Sequence, residues 1–187
     1  MRILDGTYAY LAAKVEGVPV QARIQGVDLM EKLLEVASSG RLRALLIGGA
    51  PKIAERVVEC QKRAYPRLEI QGMQGIQDVR SPSEAEEKEI FKIVAATKPH
   101  LVFVAFGSPY QELWIDAHKK QFEGSVVMGV GGAFDFLSGN VPRAPKALRA
   151  LGLEWLFRLI VQPWRIKRQL SVFSFFAAVV KEHIAKY

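Results

Sequence analysis

Apolar positions along this chain fall into two rhythms, and their alternation carries the first structural message. Short runs that are apolar at nearly every position recur through the middle: "RALLIGG" (43–49), "HLVFVAFG" (100–107) and "SVVMGVGG" (125–132), with a weaker "RLEIQG" (67–72). Such runs suit strands covered on both faces, as in a parallel sheet. Between them the spacing widens to a helical one. "PKIAERVVECQKRAY" (51–65) sets Ile53, Val57, Val58 and Ala64 near one face, and Pro51 suits a first helical turn. "SPSEAEEKEIFKIVAATK" (81–98) opens on a capping signal, Ser83 followed three positions later by Glu86. "SPYQELWIDAHKKQ" (108–121) reads as the next helix. This β-α-β-α order predicts an α/β fold with a Rossmann-like, three-layer body and a mainly parallel sheet. Ligands of such sheets collect beyond the carboxyl ends of the strands, which here read "GGAP", "FGSPYQE" and "GVGGAFD".

After residue 140 the pattern changes. "RAPKALRALGLEWLFRLI" (143–160) reads as one helix with Leu148, Leu151, Trp155 and Leu159 along one side. Pro163 interrupts it, because proline cannot donate the helical hydrogen bond. A second helix is expected from there, basic at first and then aromatic and aliphatic. The predicted organisation is therefore an α/β body over residues 1–140 and a helical C-terminal appendage over 141–187.

Charge sharpens that division. The net charge of the 187 residues is +7. From Arg143 to Arg168 there are seven cations (Arg143, Lys146, Arg149, Arg158, Arg165, Lys167 and Arg168) against the single acid Glu154. A local basic patch calls for a local anionic partner: nucleic acid, anionic lipid or a phosphorylated substrate. Nucleic acid fits least, since the patch lies on a segment rich in Leu and Phe and no nucleic-acid motif accompanies it. The most apolar late run, "SVFSFFAAVV" (171–180), covers half of a roughly 20-residue membrane span, and the opening residues lack the long apolar core of a secretory signal. The lone cysteine, Cys60, excludes a disulfide framework and a cysteine zinc site.

Familiar chemistries fail on their spacing. Gly129 and Gly131 begin a G-x-G, but Phe134 stands where the third glycine of a dinucleotide fingerprint belongs. "GGAPKIAE" lacks the Gly-Lys-Ser/Thr ending of a P-loop, and "GSPYQE" lacks the second glycine of a nucleophile elbow. His100, His118 and His183 are too scattered for a metal site, and no D-x-D pair is present. Polar residues at strand ends remain. Gln111 and Glu112 follow Gly107-Ser108-Pro109, and Asp135 follows Gly131-Gly132. An amide and a carboxylate suit the edge of a nucleobase, and glycines let backbone N–H groups approach a diphosphate. Asp135 equally suits the cap of a following helix. Asp5, before a helical segment in "LDGTYAY", is either a cap or a general base toward an attacking hydroxyl. Arg158, Arg165 and Arg168, spaced seven and three apart, would share one face of a continuous helix, an alignment that Pro163 complicates, as a solvated surface or as an anion site.

These stretches carry a resemblance. "RIQGVDLM", "LLIGGAPKIAE", "PHLVFVAFGSPYQELWI", "VMGVGGAFDFLSGNVPRAP" and "LGLEWLFRLIVQPWRIKR" resemble, in order and over nearly the whole chain, the WecG/TagA/CpsF family of bacterial glycosyltransferases. The resemblance implies an inverting, UDP-sugar-dependent hexosyltransferase that needs no metal and no cofactor. It would move an N-acetylmannosamine-type sugar from a UDP donor to a polyprenyl-diphosphate-linked N-acetylglucosamine, for teichoic acid or related surface polysaccharides. It places the protein in the cytoplasm, peripheral on the inner face of an anionic membrane, and it allows a homo-oligomer. By motif, Asp5 looks like the catalytic base, and Arg158, Arg165 and Arg168 look like the groups that neutralise the leaving diphosphate. Gln111 and Asp135 look like donor contacts, and Glu112, Gly131, Gly132 and Arg143 join the substrate-binding set. Family members carry about 60 further residues before the "DG" motif, a βα portion of the body. The expectation is therefore a short form whose pocket lacks one wall, with an inactive anionic-lipid or nucleotide-binding module as the alternative to an enzyme.

Overall fold

A computed structural model describes residue 18, residues 24–163 and residue 166. The chain divides into two compact units, Gly26–Val141 and Met1–Gln25 with Pro142–Tyr187.

In the first unit, helices α1 (Gly26–Gly40), α2 (Ile53–Ala64), α3 (Glu84–Thr97), α4 (Tyr110–Ala117) and α5 (Ala133–Leu137) alternate with strands β1 (Arg43–Gly48), β2 (Glu69–Met73), β3 (Leu101–Ala105) and β4 (Val126–Gly129). The four strands form one sheet in the order β2-β1-β3-β4, every pairing parallel. Side chains alternate across a strand, so β1 and β3 supply both cores. Ala44, Leu46, Leu101 and Phe103 face α1, α2 and α5, where Met30, Leu34, Val57 and Phe134 meet them. Leu45, Ile47, Val102 and Val104 face α3 and α4, against Ile90, Val94 and Trp114. Each large side chain so buried contributes roughly 1.5–3 kcal/mol of transfer free energy. The result is the three-layer, Rossmann-like α/β body that the strand pattern predicts.

Three local differences have physical causes. The apolar rhythm of the sequence does not predict helix α1. Its signal is the spacing of Met30, Leu34 and Ala37, all fully buried, in a segment otherwise polar enough to read as a connection. Helix α2 begins two residues later than expected, with Lys52 left-handed at φ 62° as its cap, so Pro51 lies in the preceding turn. The expected single helix over 143–160 is two, α6 (Lys146–Ala150) and α7 (Glu154–Val161). Gly152 sits left-handed at φ 76°. Its N–H donates to the carbonyl of Arg149 at 3.0 Å, and the N–H of Leu153 reaches the carbonyl of Leu148 at 2.8 Å. That is a Schellman ending, in which glycine closes a helix at little steric cost. It leaves Leu151 71 % exposed, so the predicted apolar stripe is broken there. Helix α7 ends two residues before Pro163, as predicted.

Candidate functional site

The carboxyl ends of the strands carry the polar residues singled out in the sequence. The strand order reverses between β1 and β3, and a crevice at that reversal is the usual ligand site of an open α/β sheet. An aromatic ring packs at that end of the sheet. Phe106, directly after β3, packs against Gly48 and Gly75: a Cβ on Gly48 would lie 2.7 Å from the ring, and one on Gly75 would overlap it. The edge of the ring also meets Trp114, centroids 5.1 Å apart. Polar groups gather one strand further on, over β3 and β4.

Gln111 is the centre of that group. It lies in the first turn of α4 and is only 4 % exposed. Its Oε1 accepts the backbone N–H of Gly107 at 3.2 Å and of Gly131 at 3.0 Å. Its Nε2 donates to Oε1 of the exposed Glu112 at 2.7 Å. Two N–H donors on one atom and a carboxylate on the other fix which end of the amide is oxygen. Gly107 and Gly131 both have positive φ, 83° and 50°, which glycine adopts freely.

Other side chains hold α4 in place. Trp114, 5 % exposed, donates its indole N–H to Oε1 of Glu87 in α3 at 2.9 Å. Phe91 stacks on the indole with centroids 5.8 Å apart. Nε2 of His118 lies 3.3 Å from the same Glu87 oxygen. The sequence contains these residues without announcing them, because the pairing spans two helices.

Asp135 is half-buried in α5. It is not that helix's cap: Gly132 holds the cap position, and Asp135 lies within the first turn, where a carboxylate is favoured by the helix dipole. Its backbone is held from behind. The carbonyl of Asp135 accepts from Val141 N at 3.0 Å and from Oγ of Ser138 at 3.1 Å. Ser138 is 2 % exposed, and its own carbonyl accepts from Nε of Arg56 in α2 at 3.2 Å. Gly131 and Gly132 form the turn between β4 and α5.

In the second unit, Arg143 is drawn into a local network. Its Nε lies 3.3 Å from Oε1 of Glu154, with both side chains 17 % exposed, and its Nη2 donates to Oε1 of Gln25 at 3.0 Å. Glu154, the one acid of the basic segment, is thereby accounted for. Arg158 donates through Nε to Oε1 of Gln162 at 3.2 Å. Asp5, Arg165 and Arg168 lie outside the described residues. Among the described residues no group of three or more His, Cys, Asp or Glu side chains is arranged to hold a metal ion, and no helix is long and apolar enough to cross a membrane.

Comparison with known proteins agrees with the motifs. The model of the glycosyl transferase WecG/TagA/CpsF family matches residues 1–187. The N-acetylglucosaminyldiphosphoundecaprenol N-acetyl-beta-D-mannosaminyltransferase of Bacillus spizizenii is 36% identical over 181 residues, 97% of this chain and 68% of that protein. The enzyme of the same name from Bacillus subtilis (strain 168) is 36% identical over 179 residues, 95% of this chain and 67% of its own length. One from Staphylococcus aureus (strain NCTC 8325 / PS 47) is 31% identical over 186 residues, 98% of this chain and 71% of its own length. With its strand-end glycines, Gln111 and Asp135 in one α/β unit and a family match along its whole length, this chain belongs to the WecG/TagA/CpsF family of glycosyltransferases.

Proposed function

We propose that this protein transfers an N-acetylmannosamine-type sugar, with inversion, from a UDP donor to a polyprenyl-diphosphate-linked N-acetylglucosamine at the inner face of the cell membrane. The observation that carries the reading is the polar group over β3 and β4, where Gln111 joins the turns at Gly107 and Gly131 and Asp135 follows in the next helix. The names of the Bacillus and Staphylococcus relatives support the sugar and the acceptor.

The reaction divides among residues as follows. The carboxylate of Asp135 accepts from the uracil N–H, and the turn at Gly131 and Gly132 lies beside the diphosphate. Gln111 and Glu112 belong to the same donor side. The acceptor hydroxyl oxygen attacks the anomeric carbon from the face opposite UDP, and Asp5 takes its proton. The bond from that carbon to the β-phosphate oxygen breaks, and its electron pair leaves with UDP. Arg158, Arg165 and Arg168 stabilise the charge that develops there. Arg143 shapes this cationic segment through Glu154 and Gln25. Exposed Leu156 and Ile160 on α7, beside the basic run, suit an interfacial helix that meets anionic lipid.

The test is UDP release from UDP-N-acetylmannosamine in the presence of a lipid-linked N-acetylglucosamine acceptor, together with thermal melts in UDP. The expected outcome is acceptor-dependent release and a melting temperature that rises with UDP, by the equivalent of about 2.7 kcal/mol at a hundred times Kd. Asp135→Ala should shrink that shift. Absence of both release and a shift at millimolar UDP would refute the proposal; a shift without release would leave a nucleotide-binding module in place of the enzyme.

A further inference from the structure

Both lone pairs of the Gln111 carbonyl are occupied by the chain itself. One takes Gly107 N–H at 3.2 Å, the other Gly131 N–H at 3.0 Å, and a carbonyl oxygen offers two such sites. The amide end is held by Glu112 at 2.7 Å. The surrounding backbone is shaped to admit this side chain: a Cβ on Gly129 would stand 2.8 Å from Nε2 and 3.0 Å from Cδ. Gln111 and Gly131 are 20 residues apart, so this one amide joins the turn after β3 to the turn after β4.

We propose that Gln111 is a positioning residue: it sets the separation of the two glycine turns that receive the nucleotide diphosphate, and it does not read the base. This rests on the donor site proposed above. The physical gain is preorganisation, since turns already held at the right spacing need not be ordered by the ligand. Glu112 takes part by holding the amide in the one orientation that presents oxygen to both turns.

The decisive experiment reverses the direction of that internal hydrogen bond in the full chain. Gln111→Leu removes the junction. Gln111→Glu keeps an acceptor but sets it against the carboxylate of Glu112. Gln111→Glu with Glu112→Gln restores an acceptor for both turns and a donor beside it. Two quantities are read: hydrogen exchange at the Gly107 and Gly131 amides without ligand, and UDP affinity by calorimetry. Gln111→Leu should speed exchange at both glycines while leaving β1 amides protected, and should weaken UDP by about tenfold, which is about 1.4 kcal/mol. The double variant should return both quantities to within about threefold of the parent, a difference under 1 kcal/mol. If Gln111→Leu does not fold, the single Glu variant against the double variant makes the same comparison. Unchanged exchange at the two glycines overturns the proposal. So does a double variant that regains protection but not UDP affinity, because the Gln111–Glu112 pair would then touch the nucleotide directly and not merely space the turns. A parent chain that binds no UDP defeats the donor reading instead, and the exchange data still decide whether Gln111 holds the turns.

Discussion

Trp114 donates its indole N–H to Glu87 at 2.9 Å, and that bond ties the helix bearing Gln111 to its neighbour on the sheet. The acceptor is a carboxylate, so the bond belongs to the stronger class. Trp114→Phe keeps most of the ring packing and removes the donor. In a double-mutant cycle with Glu87→Ala the two residues should show a coupling of about 1–2 kcal/mol, measured by urea unfolding. A coupling near zero would mean that α4 is held by ring packing alone.

The capping box of α3 makes a pH prediction. The carboxylate of Glu86 accepts from Oγ of Ser83 at 2.6 Å, from Gln77 N at 2.9 Å and from Ser83 N at 3.0 Å. The Ser83 hydroxyl first, then the two backbone N–H groups, hold its pKa below the usual 4.5. A carboxyl depressed by folding contributes stability that is present above its unfolded value and fades as pH falls through the folded one. The parent should therefore lose more stability than Glu86→Gln when melts are taken from pH 5 downward, and the two curves should run parallel from pH 6 to 8. Ser83→Ala should cost about 1 kcal/mol at pH 7.

Gly152 ends α6 in the left-handed region, at φ 76°. Gly152→Ala should destabilise by about 1–2 kcal/mol, the cost of that conformation for a residue with a Cβ. An unchanged unfolding midpoint would show that the break between α6 and α7 is not maintained by this glycine.

The exposed apolar positions of α7 bear on the membrane reading. Ile160 is 71 % exposed and Leu156 39 %. In sedimentation with vesicles containing anionic lipid, the parent should bind and lose binding as salt rises, because each basic residue near the surface contributes about 1 kcal/mol that screening removes. Ile160→Asp should weaken binding about tenfold or more, the loss of one buried aliphatic side chain. Equal binding to neutral and anionic vesicles would contradict the electrostatic part, and an unaffected Ile160→Asp the apolar part.

Sequence alone determined the layered α/β body and the capping box at Ser83 and Glu86, and it pointed to the strand ends as where polar residues gather. It did so because a strand buried on both faces must be apolar throughout, and because a capping box is written within four residues. It also carried the kinship, through motifs such as "GSPYQE" and "GGAFD". Local rhythm was less informative for α1, whose three buried positions sit among polar ones, and for the segment after residue 143, where one glycine outweighed an apolar stripe. What only the tertiary structure decided is who partners whom across long separations. Gln111 reads in the sequence as an amide suited to a base edge, and the parallel strands bring Gly131 beside it, so that its oxygen also accepts from within the chain. Phe106 reads as one more strand residue, and the fold packs its ring against Gly48 and Gly75, two glycines far from it in the chain. Asp135 looked equally suited to capping α5, and the start of that helix at Ala133 places it inside the first turn instead. Hydrogen bonds between residues 20 to 82 apart have no periodic trace in a sequence, because the sheet's register and not the chain's order sets their distance.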